Sequence, residues 1–188
     1  AAALGALGLV LALAAPALGL RLGFPDAGND PRGTTTRAAY DLVAEGFGPG
    51  ANGPLLVTAE LPQGAGGAAL GRLTGALRAD PAVAAVAGPR IAPGGDAAIL
   101  MVTPATAPQA EATSGLVERL RDEIAPAAAA DLGGRVLVGG ATAAFVDQAD
   151  WVGARLPVVI AAVVGLSLLV LLVAFRAPVV AATAAVMN

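Results

Sequence analysis

LLVTAEL, residues 55–61, alternates along its length, with Leu55, Val57, Ala59 and Leu61 on one face and Thr58 and Glu60 on the other. A period of two is the pattern of a half-buried strand. Downstream, Ala68 to Arg78 carries Leu70, Leu73 and Leu77 at helical spacing, and Val83 to Ala87 reads as a second strand. Gly88, Pro89, Pro93, Gly94 and Gly95 then punctuate the chain before AAILMVTP at 97–104, a third strand close enough in sequence to pair with the second as an antiparallel hairpin. Thr106 with Gln109 has the spacing of a capping box. It precedes a helical stripe of Thr113, Leu116, Val117, Leu120 and Ile124, with Pro126 near the end, and RVLVGG at 135–140 is the last strand. The order strand, helix, strand, strand, helix, strand predicts an α+β domain over 54–140 with the split βαβ, or ferredoxin-like, arrangement.

Outside this domain the composition changes. Residues 1–20 and 156–175 are each 20 residues without a charge, long enough as helix to cross the roughly 30 Å of a bilayer's hydrocarbon core. The second holds 14 Leu, Val, Ile and Phe, worth about 4–8 kcal/mol toward insertion at −0.3 to −0.6 kcal/mol each. The first mixes seven Leu and one Val with eight Ala, three Gly and Pro16, so it inserts weakly alone and needs a neighbouring helix, to which Gly5 and Gly8 allow close approach. A cleaved signal peptide is the alternative for this end, but no basic region precedes the apolar run. Both ends read as cut, because residue 1 lies inside an apolar run and 176–188 resembles the opening of another span. The expected organisation is therefore a membrane protein piece: a transmembrane helix (1–20), a connector with a short helix (21–53), the α+β domain, a juxtamembrane helix (141–155), a second transmembrane helix (156–175) and the start of a third segment.

Composition excludes whole classes of chemistry. The chain has no Cys and no His, which removes thiol catalysis, disulfides, Cys/His zinc sites and imidazole-based triads. All 11 basic residues are Arg, so there is no Walker lysine or Schiff-base amine. Between Arg21 and Arg155, ten Arg face 14 Asp and Glu, a net of −4, a poor balance for binding nucleic acid or anionic lipid. Arg176, the sole charge beyond the second span, favours a cytoplasmic C-terminal side and hence an extracytoplasmic domain.

Individual motifs have plain structural readings. Asp26, Asn29 and Asp30 in RLGFPDAGNDPRG lack calcium-loop spacing and read as turn-forming side chains. Thr34 to Thr36 are caps for a short helix with Tyr40, Val43 and Phe47 on or near one face. GAGGAA at 64–69 matches a dinucleotide phosphate loop, but no acidic residue closes the next strand and that strand is a hairpin partner. Asp147 and Asp150 share a helix face beside Trp151, an interfacial anchor; the pair reads either as a solvated face or as an attractor of protons or cations near a membrane. Ser114 and Ser167 have no base to activate them. No residue qualifies as catalytic, cofactor-binding or metal-ligating, and no enzyme is expected.

PDAGNDPRGTTTRAAYDLVAEGFGPGANGPLLV, together with DEIAPAAAADLGGRVLVGGATAAFVDQADWVGARLPVVIAAVVGLSLLVLLVAFR and the final AVMN, resembles the MMPL family of the resistance-nodulation-division superfamily. The resemblance covers nearly the whole chain. It implies twelve spans in two halves, each half carrying an extracytoplasmic porter domain between its first two helices, and the wording looks more like the second half. It further implies proton-driven export of lipids or other hydrophobic molecules across the bacterial plasma membrane, with the other porter domain and the remaining helices as partners. The family's proton relay, Asp and Tyr residues within its fourth and tenth helices, has no counterpart in these spans. A two-helix receptor with an extracytoplasmic sensing domain is the alternative, and a SecD/SecF-like export subunit a third. The apolar stretch after Arg176 favours transport over the receptor.

Overall fold

The computed structural model describes residues 25–62 and 66–175 continuously, together with Gly5, Gly8, Leu9, Ala12, Leu13, Ala15, Gly23 and Met187. The expected first span therefore lies mostly outside the described residues, as do Gly64 and Ala65 of the glycine-rich turn and nearly all of 176–188. Gly23–Gln148 forms one compact unit, and the chain from Ala149 onward belongs to another.

The first unit is built on four strands, β1 (Leu55–Glu60), β2 (Val83–Ile91), β3 (Ala97–Pro104) and β4 (Val136–Gly139), in the order β2-β3-β1-β4. Every neighbouring pair is antiparallel. The alternation of LLVTAEL places Leu55, Val57 and Ala59 in the core, where they meet Leu100 and Val102 of β3 and Val136 of β4. Helix α2 (Gly67–Ala79) follows β1 and buries Leu70, Leu73 and Leu77 against the same layer. Between β3 and β4 run α3 (Glu111–Arg119), a π-helical turn (Leu120–Ile124) and α4 (Ala125–Leu132), which add Leu116, Val117, Leu120 and Leu132 to that core. Thr113 and Leu116 are fully buried, as the predicted stripe requires.

Four local expectations are corrected. Gly88 and Pro89 do not end the second strand; β2 continues to Ile91 with an irregularity in register between Ala87 and Arg90. An edge strand with a register irregularity tolerates this, because the missing proline N–H has no ladder partner to lose there. The capping box does not form. Helix α3 starts at Glu111 with Ala110 as its unaided cap, so Gln109 precedes the helix, and Thr106 instead pairs with the buried Thr113 hydroxyl at 2.7 Å. That hydroxyl in turn donates to the Ala107 carbonyl at 2.8 Å. Pro126 does not stand near the helix end either: the π-helical turn Leu120–Ile124 leads straight into α4, which runs on to Leu132 with Pro126 near its start. A π turn is one of the local departures from the i→i−4 ladder at which a helix continues past such a residue. The stop is Gly133, in the left-handed region at φ +67°. Finally, helix α1 (Thr35–Phe47) forms with Thr34 as its cap, but Phe47, expected on its apolar face, is 80% exposed.

Candidate functional site

Helix α5 (Ala141–Phe175) is continuous from the domain's last strand into the second apolar run, with Pro157 inside it. Its first turns are fastened to the α/β unit. Gly140, at φ +102°, makes the sharp exit from β4, and a Cβ there would lie 3.0 Å from the Pro54 carbonyl oxygen. The buried Thr142 hydroxyl donates to the Gly53 carbonyl at 2.9 Å. Ala143 is fully buried and Val146 packs on the core.

Asp147 closes this fastening by accepting both ends of the Arg121 guanidinium, one contact being 2.9 Å. Arg121 also donates to the Val138 carbonyl at 3.2 Å. Its hydrogen bonds hold the Asp147 carboxyl below the usual aspartate range. The expected Asp147/Asp150 pair is therefore split by use: Asp147 is engaged 26 residues back in sequence, while Asp150 is exposed. Helical spacing shows which residues share a face but carries no signal for a partner on another element.

Beyond Asp150, Trp151 is 58% exposed, and the Arg155 guanidinium lies over its ring at 3.8 Å from the centroid. Arg155 also donates to the Trp151 carbonyl at 3.2 Å. The i, i+4 spacing of an aromatic and an arginine was the available sequence signal for this stack. From Leu156 on, the large apolar side chains Val158, Val159, Ile160, Val163, Leu166, Leu169 and Val170 are all more than half exposed. Among the described residues, Ala141–Val170 is the one helix long and apolar enough to cross a membrane.

The sheet offers a second apolar surface. Its face away from the helices carries Leu56, Ile99, Met101 and Leu137, each 36–54% exposed. Register brings them together: Leu56 opposes Met101, and Thr58 lies between Ile99 and Leu137. Glu60 and Arg135 close one end with a bidentate ion pair, 2.6 Å at its shortest, and the Arg135 guanidinium draws the Glu60 carboxyl down.

The other sequence candidates have structural roles. Asp26 caps a 3-10 turn (Ala27–Asn29) by accepting from the Gly28 N–H at 2.8 Å, and Asp30 accepts from the Thr36 hydroxyl. Tyr40 packs so close that a Cβ on Gly28 would meet its ring at 2.8 Å; burial, then the charge of Asp26, push the phenol up. In the glycine-rich turn, Gly66 caps α2 without a side-chain bond, and the strand after α2 is separated from β1 by β3. The two flanking strands of a dinucleotide fold are parallel neighbours, a relation absent here. Ser114 is half-buried in α3 and Ser167 lies in α5.

The model of the MMPL family matches residues 33–186. Among curated proteins, the chain is similar to Membrane protein YdfJ of Bacillus subtilis, 32% identical over 170 residues that make up 89% of this chain and 23% of that protein. It is also similar to Mycolic acid-containing lipids exporter MmpL11 of Mycolicibacterium smegmatis, 30% identical over 188 residues, 96% of this chain and 19% of that protein. The chain thus spans about a fifth of the length of these relatives.

Proposed function

The chain belongs to the MMPL family, and from that membership we propose that it is part of a proton-driven exporter of lipids or other hydrophobic molecules, acting in the plasma membrane rather than as an enzyme. Its contribution is an extracytoplasmic porter domain over 54–140, reached through the connector 21–53 and carried between transmembrane helices at 1–20 and 156–175, with 141–155 leading into the second and 176–188 opening a further span. The observation that carries this reading is α5: one helix leaves the domain's last strand and continues through an uncharged run whose bulky apolar side chains are exposed. Such a surface is stable in lipid and unstable in water.

The sheet order supports a ferredoxin-like porter. With β1 and β4 adjacent and antiparallel, the domain begins and ends at neighbouring strands, which suits insertion between two helices of one bundle. The exposed face of Leu56, Ile99, Met101 and Leu137 suits packing against the other porter domain or contact with a hydrophobic substrate. No charge lies within 156–175, so the proton relay belongs to other spans of the transporter.

Two experiments test the reading. The chain has no cysteine, so Glu60→Cys and Gln109→Cys should each react with an impermeant maleimide on intact spheroplasts; reaction only after lysis places the domain on the cytoplasmic side and rejects the orientation. The full-length protein in proteoliposomes should export a fluorescent lipid when the lumen is acidified and stop when a protonophore is added. Export indifferent to the pH gradient rejects proton drive.

A further inference from the structure

We propose that Trp151 and Arg155 form a clamp for the phosphate of an anionic phospholipid in the leaflet next to the α/β domain. The inference rests on the reading that 156–175 crosses the bilayer. Arg155 is the last charge before the apolar run begins at Leu156, so in a spanning helix it stands at headgroup depth, where indole rings also settle. Its guanidinium is stacked on the Trp151 ring at 3.8 Å. Stacking fixes the plane and strips water from one face, while the edge keeps its donors in a fork that matches phosphate oxygens. One donor is used, by the Trp151 carbonyl at 3.2 Å; the remaining edge makes no hydrogen bond among the described residues.

Charge complementarity selects the occupant. Asp150 lies five residues from Arg155, about 140° away around a helix of 3.6 residues per turn, and Asp147 is already engaged by Arg121. The stacked cation is therefore not neutralised by either carboxylate. Directly below it, Val158, Val159, Val163 and Leu166 expose aliphatic surface that takes acyl chains. A phosphatidylglycerol offers both parts at once: a singly charged phosphate at the stack and two chains along the helix. The overall acidity of the domain disfavours diffuse binding to anionic lipid, so any preference must come from a local site.

Trp151 is the only tryptophan of the chain, which makes its fluorescence a local probe. The 188-residue chain is reconstituted in phosphatidylcholine vesicles doped with phosphatidylglycerol or phosphatidylcholine whose acyl chains are brominated near the headgroup end. The brominated phosphatidylglycerol should half-quench Trp151 at about a tenfold lower mole fraction than its choline counterpart, the discrimination a single charge-assisted contact supplies. Arg155→Ala should bring that ratio to about one. Arg155→Lys, which keeps the charge but loses the planar fork, should fall between and guards against an Ala variant that fails to fold. Equal quenching by the two lipids, or a preference unchanged in Arg155→Ala, overturns the clamp and leaves the spanning helix intact. Quenching by neither lipid overturns the clamp and the spanning reading together.

Discussion

Asp80 and Arg119 stand 39 residues apart in sequence yet form a fork-like pair, with contacts of 3.1 and 3.0 Å. Asp80 also accepts from the Ala82 N–H at 2.8 Å, and its side chain is nearly buried. Arg119, hydrogen-bonded to it, holds the Asp80 carboxyl below the usual range. A depressed carboxylate contributes stability that is full above its unfolded value of about 3.9 and is lost as pH falls through the lower folded value. Asp80→Ala should therefore cost about 1–3 kcal/mol at neutral pH, less than a fully buried pair because the exposed side of Arg119 regains water. The gap between the two melting temperatures should close on acidification below pH about 4; a gap that persists there, or none at pH 7, contradicts this account. Gly50 makes a sharper case. A Cβ there would lie 1.8 Å from the Pro104 carbonyl oxygen, a backbone atom that cannot swing aside, so Gly50→Ala should destabilise by about 3 kcal/mol in a denaturant titration, at the upper end for overpacking. Gly33→Ala, at φ +97° with open space around it, should cost about 1 kcal/mol from backbone strain alone. Neither Asp80 nor Gly50 stands out in the sequence, since the partners that give them meaning come from distant strands and helices.

Sheet elements were legible where a short-range period decides them. Leu55–Glu60 follows from alternation because one of its faces is covered, Ala97–Pro104 from its closeness in sequence to the second strand across a Gly/Pro-rich turn, and α2 from leucines at helical spacing. What could not be read was where tertiary context overrides local punctuation. Gly88 and Pro89 look like a turn, but the open side of an edge strand accepts them; Pro126 looks like a stop, but it follows a π-helical turn and the helix runs on past it to Leu132. The alternation also predicts an energetic asymmetry between the two sheet faces. Leu100 is fully buried and Leu100→Ala should cost 2–5 kcal/mol, on the scale of other core leucines. Its neighbour Met101, 46% exposed, points the other way, and Met101→Ser should change stability by only about 0.5 kcal/mol. Chemical denaturation of both variants in detergent tests this. A comparable loss in Met101→Ser would mean that the open face is covered in the folded protein.

At the scale of the whole molecule, the α/β unit and the apolar helix obey opposite solvent rules within one polypeptide. The unit buries most of its leucines and displays its charges, whereas α5 beyond Arg155 displays valine, leucine and isoleucine. Composition alone made that contrast readable, because 20 uncharged residues leave little choice of environment. The fastening of the helix root by Thr142, Val146 and Asp147 was not readable, since it needs the positions of Gly53, the core and Arg121. The apolar run's advantage of about 4–8 kcal/mol sets a quantitative limit on tolerated charge. One aspartate near the middle, Leu166→Asp, costs about 3 kcal/mol plus the lost leucine contribution, and the helix should still resist alkaline extraction from membranes. Adding Val170→Asp, one turn away, brings the total to about 6–8 kcal/mol, which cancels the advantage. Much of the doubly substituted protein should then appear in the alkaline supernatant. If it stays fully in the membrane pellet, helix packing against other spans, rather than the hydropathy of this run, is what holds it there.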